Sequence, residues 1–286
     1  SDWNRPRRGN VVDLTDDAPQ PQQPSRGTRS YGKAVAKHHL ELFSYPPNEP
    51  DNITLTQADI ATLGEGQYLN DQIIDFYGKL LLKRMDKEQL RRIHIFSSFF
   101  WKKVEARNFQ DASKWTRGTQ PSGQGPSGHH PSGRCPVDIF EKDFLLIPMC
   151  RGLHWTLAVV CFPGVEKTTV SNSSLKVPCI LHHNSIRSNN AREVGKHIRG
   201  YLQYEWNTKK AHTCGARDFG GVPYLPSRCP QQDNDWDCGV FVLQYMEMIC
   251  INKPEPTLEE VLAMSNPDMF TTNREQWFSA IDVGLK

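Results

Sequence analysis

Apolar residues in the central part of the chain recur with the spacing of amphipathic helices. Thr56-Gln57-Ala58-Asp59 has the composition of a helix start, and Asn70-Asp71 opens a second helix. That second helix carries one apolar face, formed by Ile73, Ile74, Phe76, Tyr77, Leu80 and Leu81. Residues 191–206 predict a third helix, whose inward face comprises Val194, Ile198, Tyr201 and Leu202.

Short apolar runs predict the strands of a sheet. They are runs at residues 42–45, 144–148, 155–160 and 178–181. The stretch from Cys238 to Met246 is apolar nearly all round, which predicts a buried central helix.

Polar, low-complexity segments interrupt these elements. Residues 1–38 are rich in Pro, Gln, Arg, Ser and Gly, so we expect a disordered tail before a folded domain at 39–286. Within that domain we expect flexible insertions at about 117–136 and 164–176. The first holds His129, His130 and Cys135, which could ligate a metal, but adjacent histidines in a loop of this composition rarely do. We predict no metal site.

Composition narrows the class of protein. The net charge of +2 gives no reason to expect nucleic-acid binding, and no apolar run is long enough to predict a membrane span. The eight cysteines occur singly, which favours reduced thiols, and no apolar signal-peptide core opens the chain. These features favour the cytosol or nucleus. The first residue is Ser rather than Met, so we expect a fragment or a processed chain.

Cys238 is a candidate nucleophile because of its predicted place in the first turn of the buried helix. Asp237 is suited to cap that helix, and Gly239 keeps the approach to the sulfur clear. Free backbone N–H groups and the helix dipole stabilise a thiolate there, which lowers the thiol pKa. The alternative is an inert buried cysteine, the usual state of a free thiol.

Three polar residues could serve such a thiol. His154 opens an apolar strand and could exchange protons at a cleft, although a polar turn residue is the simpler interpretation. Asn184 follows the next strand, where its amide oxygen could orient the histidine. Gln232 precedes the cysteine by six residues, and its amide could join the Cys238 N–H in an oxyanion hole.

Several stretches resemble, in the same order, the motifs of the SUMO-specific (ubiquitin-like-protein-specific) cysteine proteases. The resemblance covers about residues 40–283. It is carried by Tyr68–Ile74, Lys114–Thr116, His154–Val160, Gln232–Gly239 and Trp277-Phe278. It implies an α+β, papain-like fold, with a central mixed sheet and a buried helix that carries the nucleophile.

The resemblance also implies roles for individual residues. Cys238 would be the nucleophile, His154 the general base and acid, and Gln232 an oxyanion-hole donor. Trp155 and Tyr68 would clamp the Gly-Gly tail of the modifier, and Asp71 would contact a basic residue on its surface. The segment at 164–176 resembles the divergent branch of the family, which prefers SUMO chains.

The chain departs from the family pattern near the predicted base. Asn184 replaces the usual Asp, a change that lowers kcat about 10⁴-fold in a Ser-His-Asp enzyme. Papain-like enzymes nevertheless use Asn in this role, so we expect reduced but real activity. Tyr68 replaces Trp and keeps an aromatic wall. We expect the neighbouring His182 and His183 to be exposed.

The tail contains Val11, Val12, Asp13 and Leu14, followed by further acidic residues. This run resembles a SUMO-interacting motif, which adds an edge strand to a partner sheet, and the alternative is a chance tetrapeptide. We therefore expect a monomeric nuclear, or also cytoplasmic, thiol protease without a cofactor, whose partners are SUMO and SUMO-conjugated proteins. The alternatives are a pseudoprotease that binds SUMO and a protease for another modifier such as NEDD8.

Overall fold

The computed structural model describes residues 40–49, 51–117, 136–171, 174–186, 191–227 and 229–251. The predicted tail with its motif, most of the first predicted insertion and Trp277-Phe278 lie outside the described residues.

The described residues form a mixture of strands and helices. The strands are β1 Glu41–Tyr45, β2 Ile53–Thr56, β3 Ile93–Ile95, β4 Phe144–Arg151, β5 His154–Cys161, β6 Thr169–Ser171, β7 Ser174–Lys176, β8 Cys179–His183 and β9 Tyr224–Pro226. The α-helices are α1 Gln57–Ala61, α2 Asp71–Arg84, α3 Lys87–Arg92, α4 Ser98–Glu105, α5 Phe109–Ala112, α6 Ala191–Lys209, α7 Ala211–Cys214 and α8 Cys238–Ile251. Short 3₁₀ turns cover Ser113–Thr116 and Ile139–Glu141.

A mixed sheet of five strands forms the centre of the described fold, in the order β3-β4-β5-β8-β9. The two outer pairs are parallel, whereas β4–β5 and β5–β8 are antiparallel. The turn between β4 and β5 pairs Arg151 with His154 and has Gly152 at φ 65°, a conformation that favours glycine. This tight turn places His154 at the start of the central strand.

Each face of the sheet is covered by helices. Successive strand residues point to opposite faces, so β5 contributes to two separate cores. One core joins Leu157 and Val159 to α2 and to α8, which contributes Met246. The other joins Ala158 and Val160 to α4 and α6. The predicted helices and strands, the α+β class and the buried position of α8 are thereby confirmed.

Side-chain caps fix the segment that leads into α2. Thr56 and Asp59 form a capping box at α1, which confirms the predicted helix start. Asn70 caps α2 through its Oδ1, which accepts from the Ile73 N–H at 3.1 Å. The Asn70 Nδ2 also donates to Asp59 Oδ1 at 2.7 Å. The two helix starts are therefore tied together, and this holds the residues just before α2 in place.

The predicted insertion at 164–176 contains a short antiparallel ribbon of β6 and β7, which the sequence did not predict. Arg217 donates to the Val165 carbonyl at 2.6 Å where the segment begins. Lys176 lies 3.1 Å from Asp143 where it ends. Sequence reasoning missed the ribbon because its strands are short and mostly polar, which leaves no clear apolar period to read.

The expectation that His182 and His183 are exposed is also wrong. They are 7% and 1% exposed, because helices cover both faces of β8. The Nδ1 of His182 lies 2.5 Å from the Tyr224 hydroxyl, and the ring of His183 lies 5.2 Å from that of Tyr245. Burial lowers the pKa of His182 to about 4 and the pKa of His183 to about 3, so both are neutral at pH 7. Within the described part of the chain, no helix combines the length and apolar character needed to cross a bilayer.

Candidate active site

Cys238 begins α8, where the Phe241 N–H donates to the Asp237 carbonyl at 3.0 Å. Its side chain has no exposed surface. The sulfur lies 3.8 Å from the Leu153 carbonyl, and the Trp155 N–H acts to lower the pKa of the thiol. Leu153 and Trp155 are the chain neighbours of His154. The start of α8 therefore lies against the start of β5. Cys238 and His154, the first two candidates from the sequence, stand at these two starts.

The amide of Asn184 holds the ring of His154. Asn184 Oδ1 lies 2.7 Å from His154 Nε2 and also accepts from the Ile186 N–H at 3.0 Å. The Ile186 N–H needs an acceptor, so the Asn184 atom that it contacts is the amide oxygen. Because that oxygen also faces His154 Nε2, Nε2 is the ring nitrogen that carries the proton. The neutral ring then has its lone pair on Nδ1, which is the atom able to accept a proton from a thiol.

Burial raises the pKa of the Cys238 thiol above its usual value, which reverses the sequence-based expectation. The backbone N–H groups of Trp155, Gly239 and Cys238 itself act in the opposite direction, and the charge of Asp237 adds to the rise. Removal of the sulfur from water outweighs the helix start because an isolated thiolate is poorly solvated there. The resting form is the thiol, so the nucleophile needs a base at the moment of attack.

Gln232 is held at both ends of its side-chain amide. Its Oε1 accepts from the Ser185 hydroxyl at 2.6 Å, and its Nε2 donates to the Asn234 carbonyl at 2.5 Å. Its backbone N–H donates to the Ser185 carbonyl at 2.9 Å. The loop before the nucleophile is therefore attached to the residue that follows Asn184.

Asn234 shapes the same loop. Its Oδ1 accepts from the backbone N–H groups of Trp236 and Asp237, at 3.1 and 2.9 Å. Its Nδ2 donates to Asp237 Oδ2 at 2.7 Å. This local turn directs the chain into α8, so that Cys238 falls in the first turn.

Leu69 lies between Trp155, one of the two predicted aromatic residues, and Gly239, the residue that follows the nucleophile. Trp155 is 3% exposed and donates its Nε1–H to the Leu69 carbonyl at 2.8 Å, whereas the neighbouring Tyr68 is 39% exposed. A Cβ added to Gly239 would lie 2.8 Å from the Leu69 Cβ. Gly239 is therefore needed for close packing against Leu69, a more specific reason than the open approach expected from the sequence.

Asp71 lies at the start of α2, partly exposed, and pairs with Lys102 of the same chain at 3.0 Å. A basic group on a binding partner would have to share or displace that lysine. Among the described residues, no group of three or more His, Cys, Asp or Glu side chains is arranged to hold a metal ion.

Sequence reasoning assigned no individual role to Leu69, Ser185 or Asn234. The Asn234 turn had a detectable signal, since an Asn two and three residues before N–H groups at a helix start commonly forms such a turn. The other two act through a carbonyl and a buried hydroxyl. Leu69 lies in the Tyr68–Ile74 stretch that carries the resemblance, but the partners of Leu69 and Ser185 lie far away in the sequence, so no local pattern shows what these residues contact.

A thiol at the start of a buried helix, beside a histidine held by an asparagine oxygen, is the arrangement that papain-like cysteine proteases use. Residues 67–279 match the model of the Ulp1 protease family, C-terminal catalytic domain. The chain belongs to this family.

Curated relatives agree with that assignment. The chain is 31% identical over 250 residues to the probable ubiquitin-like-specific protease 2A of Arabidopsis thaliana, an alignment that covers 86% of the chain and 31% of the relative. It is 30% identical to sentrin-specific protease 7 of Mus musculus, with 72% of the chain and 25% of the relative covered. The chain thus spans between a quarter and a third of the length of these relatives.

Solved structures show the same fold. A structure described as that of the de-sumoylating protease matches with a TM-score of 0.59 and 21% identity, and covers 85% of this chain and 89% of that one. SUMO protease Ulp1 with its catalytic cysteine oxidized to a sulfenic acid matches with a TM-score of 0.52 and 22% identity, over 93% and 98% of the two chains. The expected papain-like α+β fold is confirmed.

Proposed function

We propose that this chain is a cysteine isopeptidase that removes SUMO from conjugated proteins or trims SUMO chains, cutting after the Gly-Gly tail. The observation that carries the proposal is the position of the Cys238 sulfur, 3.8 Å from the carbonyl of Leu153, the residue directly before His154. The names of the relatives, which include ubiquitin-like-specific and sentrin-specific proteases, support the substrate class.

The reaction starts from a neutral thiol. His154 Nδ1 takes the proton of Cys238 as the sulfur attacks the carbonyl carbon of the terminal glycine. The Gln232 amide and the Cys238 N–H bind the oxyanion that forms. Collapse of this intermediate breaks the C–N bond, and the lysine amine of the target leaves with the proton from His154. Water, deprotonated by His154, then hydrolyses the thioester and restores the thiol.

The covered sulfur favours a slender substrate. Since Cys238 has no exposed surface, an approaching chain reaches the sulfur easily only if it lacks bulky side chains. A tail that ends in two glycines satisfies this condition. In this proposal Trp155 and Tyr68 clamp the backbone of the tail, and the burial of Trp155 beside the exposed Tyr68 supports an aromatic wall with one covered and one open side.

Other parts of the proposal concern binding outside the reacting centre. Asp71 binds a basic residue on SUMO in exchange for Lys102, and the segment at 164–176 contributes to a preference for chains. The motif Val11–Leu14 binds a further SUMO unit. We place the protein in the nucleus, as a monomer.

Reaction with modifier probes tests the proposal. SUMO, NEDD8 and ubiquitin, each with an electrophile at the C-terminal glycine, are incubated with the chain, and adducts are located by peptide mass spectrometry. We expect an adduct on Cys238 with SUMO alone, and none in Cys238→Ala. The matched control Cys214→Ser removes an exposed thiol and should leave the adduct unchanged.

Other results of the probe experiment would indicate other functions. An adduct with NEDD8 but not SUMO would assign a different modifier. Binding of SUMO without any adduct would indicate a pseudoprotease, the candidate that Asn184 in place of Asp favours. Cys238→Ser should abolish turnover and retain SUMO binding, because one atom changes and the packing around it does not.

A further inference from the structure

Ser185 is a buried residue at the candidate site that the proposed reaction does not use. It is 1% exposed and directly follows Asn184, which holds His154. Its hydroxyl and its carbonyl both contact Gln232. Two consecutive residues therefore contact two different parts of the catalytic arrangement.

The two contacts from Ser185 have different consequences. The carbonyl accepts from the Gln232 backbone N–H at 2.9 Å, which fixes where the glutamine main chain lies. The hydroxyl donates to Gln232 Oε1 at 2.6 Å, which holds the oxygen end of the side-chain amide in place. A change to alanine would remove the second contact and leave the first.

The amide of Gln232 has one favourable orientation. If the amide were flipped, its oxygen would lie at 2.5 Å from the Asn234 carbonyl oxygen, and two acceptors repel each other at that distance. In the observed orientation, one hydrogen of Nε2 goes to Asn234, and the oxygen takes the Ser185 hydroxyl. The second Nε2 hydrogen is then available to a developing oxyanion.

We infer that Ser185 is a positioning residue that turns the Gln232 amide so that its N–H faces the oxyanion. The inference rests on the proposed function, in which Gln232 is the oxyanion donor. Preorganised donors are effective because they need no rotation during the reaction. Without the hydroxyl, the amide would rotate more freely and the oxyanion would meet a less ordered donor.

Steady-state kinetics on a cleavable SUMO substrate test this inference. We expect Ser185→Ala to lower kcat about tenfold, the effect of one lost hydrogen bond of ordinary strength, with KM within about twofold. Ser185→Thr, which keeps a hydroxyl, should recover most of the loss. Ser44→Ala is the matched control, since it removes a 2.7 Å hydroxyl contact with Thr54 in a different sheet and should leave kcat unchanged.

A double-mutant cycle separates positioning from general damage. Gln232→Ala should lower kcat by about 10²- to 10³-fold, as loss of an oxyanion donor does. If Ser185 acts only through Gln232, adding Ser185→Ala to Gln232→Ala should change kcat by less than about twofold. Thermal unfolding of each variant shows whether it is folded, and the pH titration of the Cys238 thiol should stay unchanged in Ser185→Ala.

A failure of the Ser185 inference and a failure of the proposed function give different results. Independent, multiplying losses from the two variants would overturn the inference, as would wild-type kcat in Ser185→Ala, and either would leave the protease proposal intact. A normal kcat in Gln232→Ala would overturn both the oxyanion assignment and the inference. Absence of any SUMO adduct on Cys238 would overturn the proposed function itself.

Discussion

Gly239→Ala should damage the site through a single added methyl group. The new Cβ would lie 2.8 Å from the Cβ of Leu69, 3.0 Å from its Cγ and 3.1 Å from its Cδ1. Ordinary contacts begin at 3.4 Å, so Leu69 and α8 must separate by about 0.6 Å. The closest atom is next to the backbone, so a change of rotamer cannot relieve the clash.

The expected loss follows from two opposing effects. Alanine favours a helix over glycine by about 0.5–1 kcal/mol, whereas overpacking a core costs about 1–3 kcal/mol. A net loss of about 1–2 kcal/mol would lower Tm by about 2–8 °C for a domain of this size. The displacement also moves the Leu69 carbonyl that holds Trp155, so kcat/KM should fall about tenfold or more.

Thermal unfolding and cleavage of a fluorogenic SUMO substrate measure the two effects. Gly221→Ala is the matched control, because a Cβ at Gly221 meets nothing within 4 Å, and it should change neither Tm nor kcat/KM. Leu69→Ala should fail to rescue Gly239→Ala, since it retains the clashing Cβ.

A wild-type Tm together with wild-type kcat/KM in Gly239→Ala would refute this reasoning. Rescue by Leu69→Ala would refute the part that assigns the clash to the Cβ rather than to the side-chain end.

Three further predictions concern the thiol, the amide and the tail. Because burial raises the pKa of Cys238, the thiolate absorbance of wild type minus that of Cys238→Ser should be absent at pH 7 and appear only above about pH 9; a thiolate signal below pH 7 would contradict the assigned cause. Asn184→Asp should raise kcat about tenfold, because a carboxylate 2.7 Å from the ring stabilises the imidazolium formed during attack; an unchanged or lower kcat would mean that the site is adapted to the amide. Removal of residues 1–38 should weaken binding to SUMO chains more than it slows cleavage of a single fluorogenic SUMO, and equal effects on both would count against a SUMO-binding tail.

The local pattern of apolar and capping residues was enough to predict the helices that carry the site. The apolar face that begins at Ile73 predicted α2, the continuous apolar run after Cys238 predicted a buried α8, and Asn70 marked a helix start. These predictions succeed because periodicity, capping and burial are encoded within a few neighbouring residues. The polar ribbon at 169–176 lacks such a period and was missed.

The sequence by itself determined which chemical groups are present, a thiol, an imidazole and two amides, and which elements carry them. Only the tertiary structure decided their state. The sequence predicted a lowered thiol pKa and exposed histidines on β8. Packing of α8 against the start of β5 buries the thiol, and packing around β8 buries the histidines, which reverses both expectations. It also decided that Ser185 contacts Gln232 and that Leu69 contacts Gly239. Burial and hydrogen bonding between distant segments depend on the whole fold, whereas helix and strand propensity depends on near neighbours.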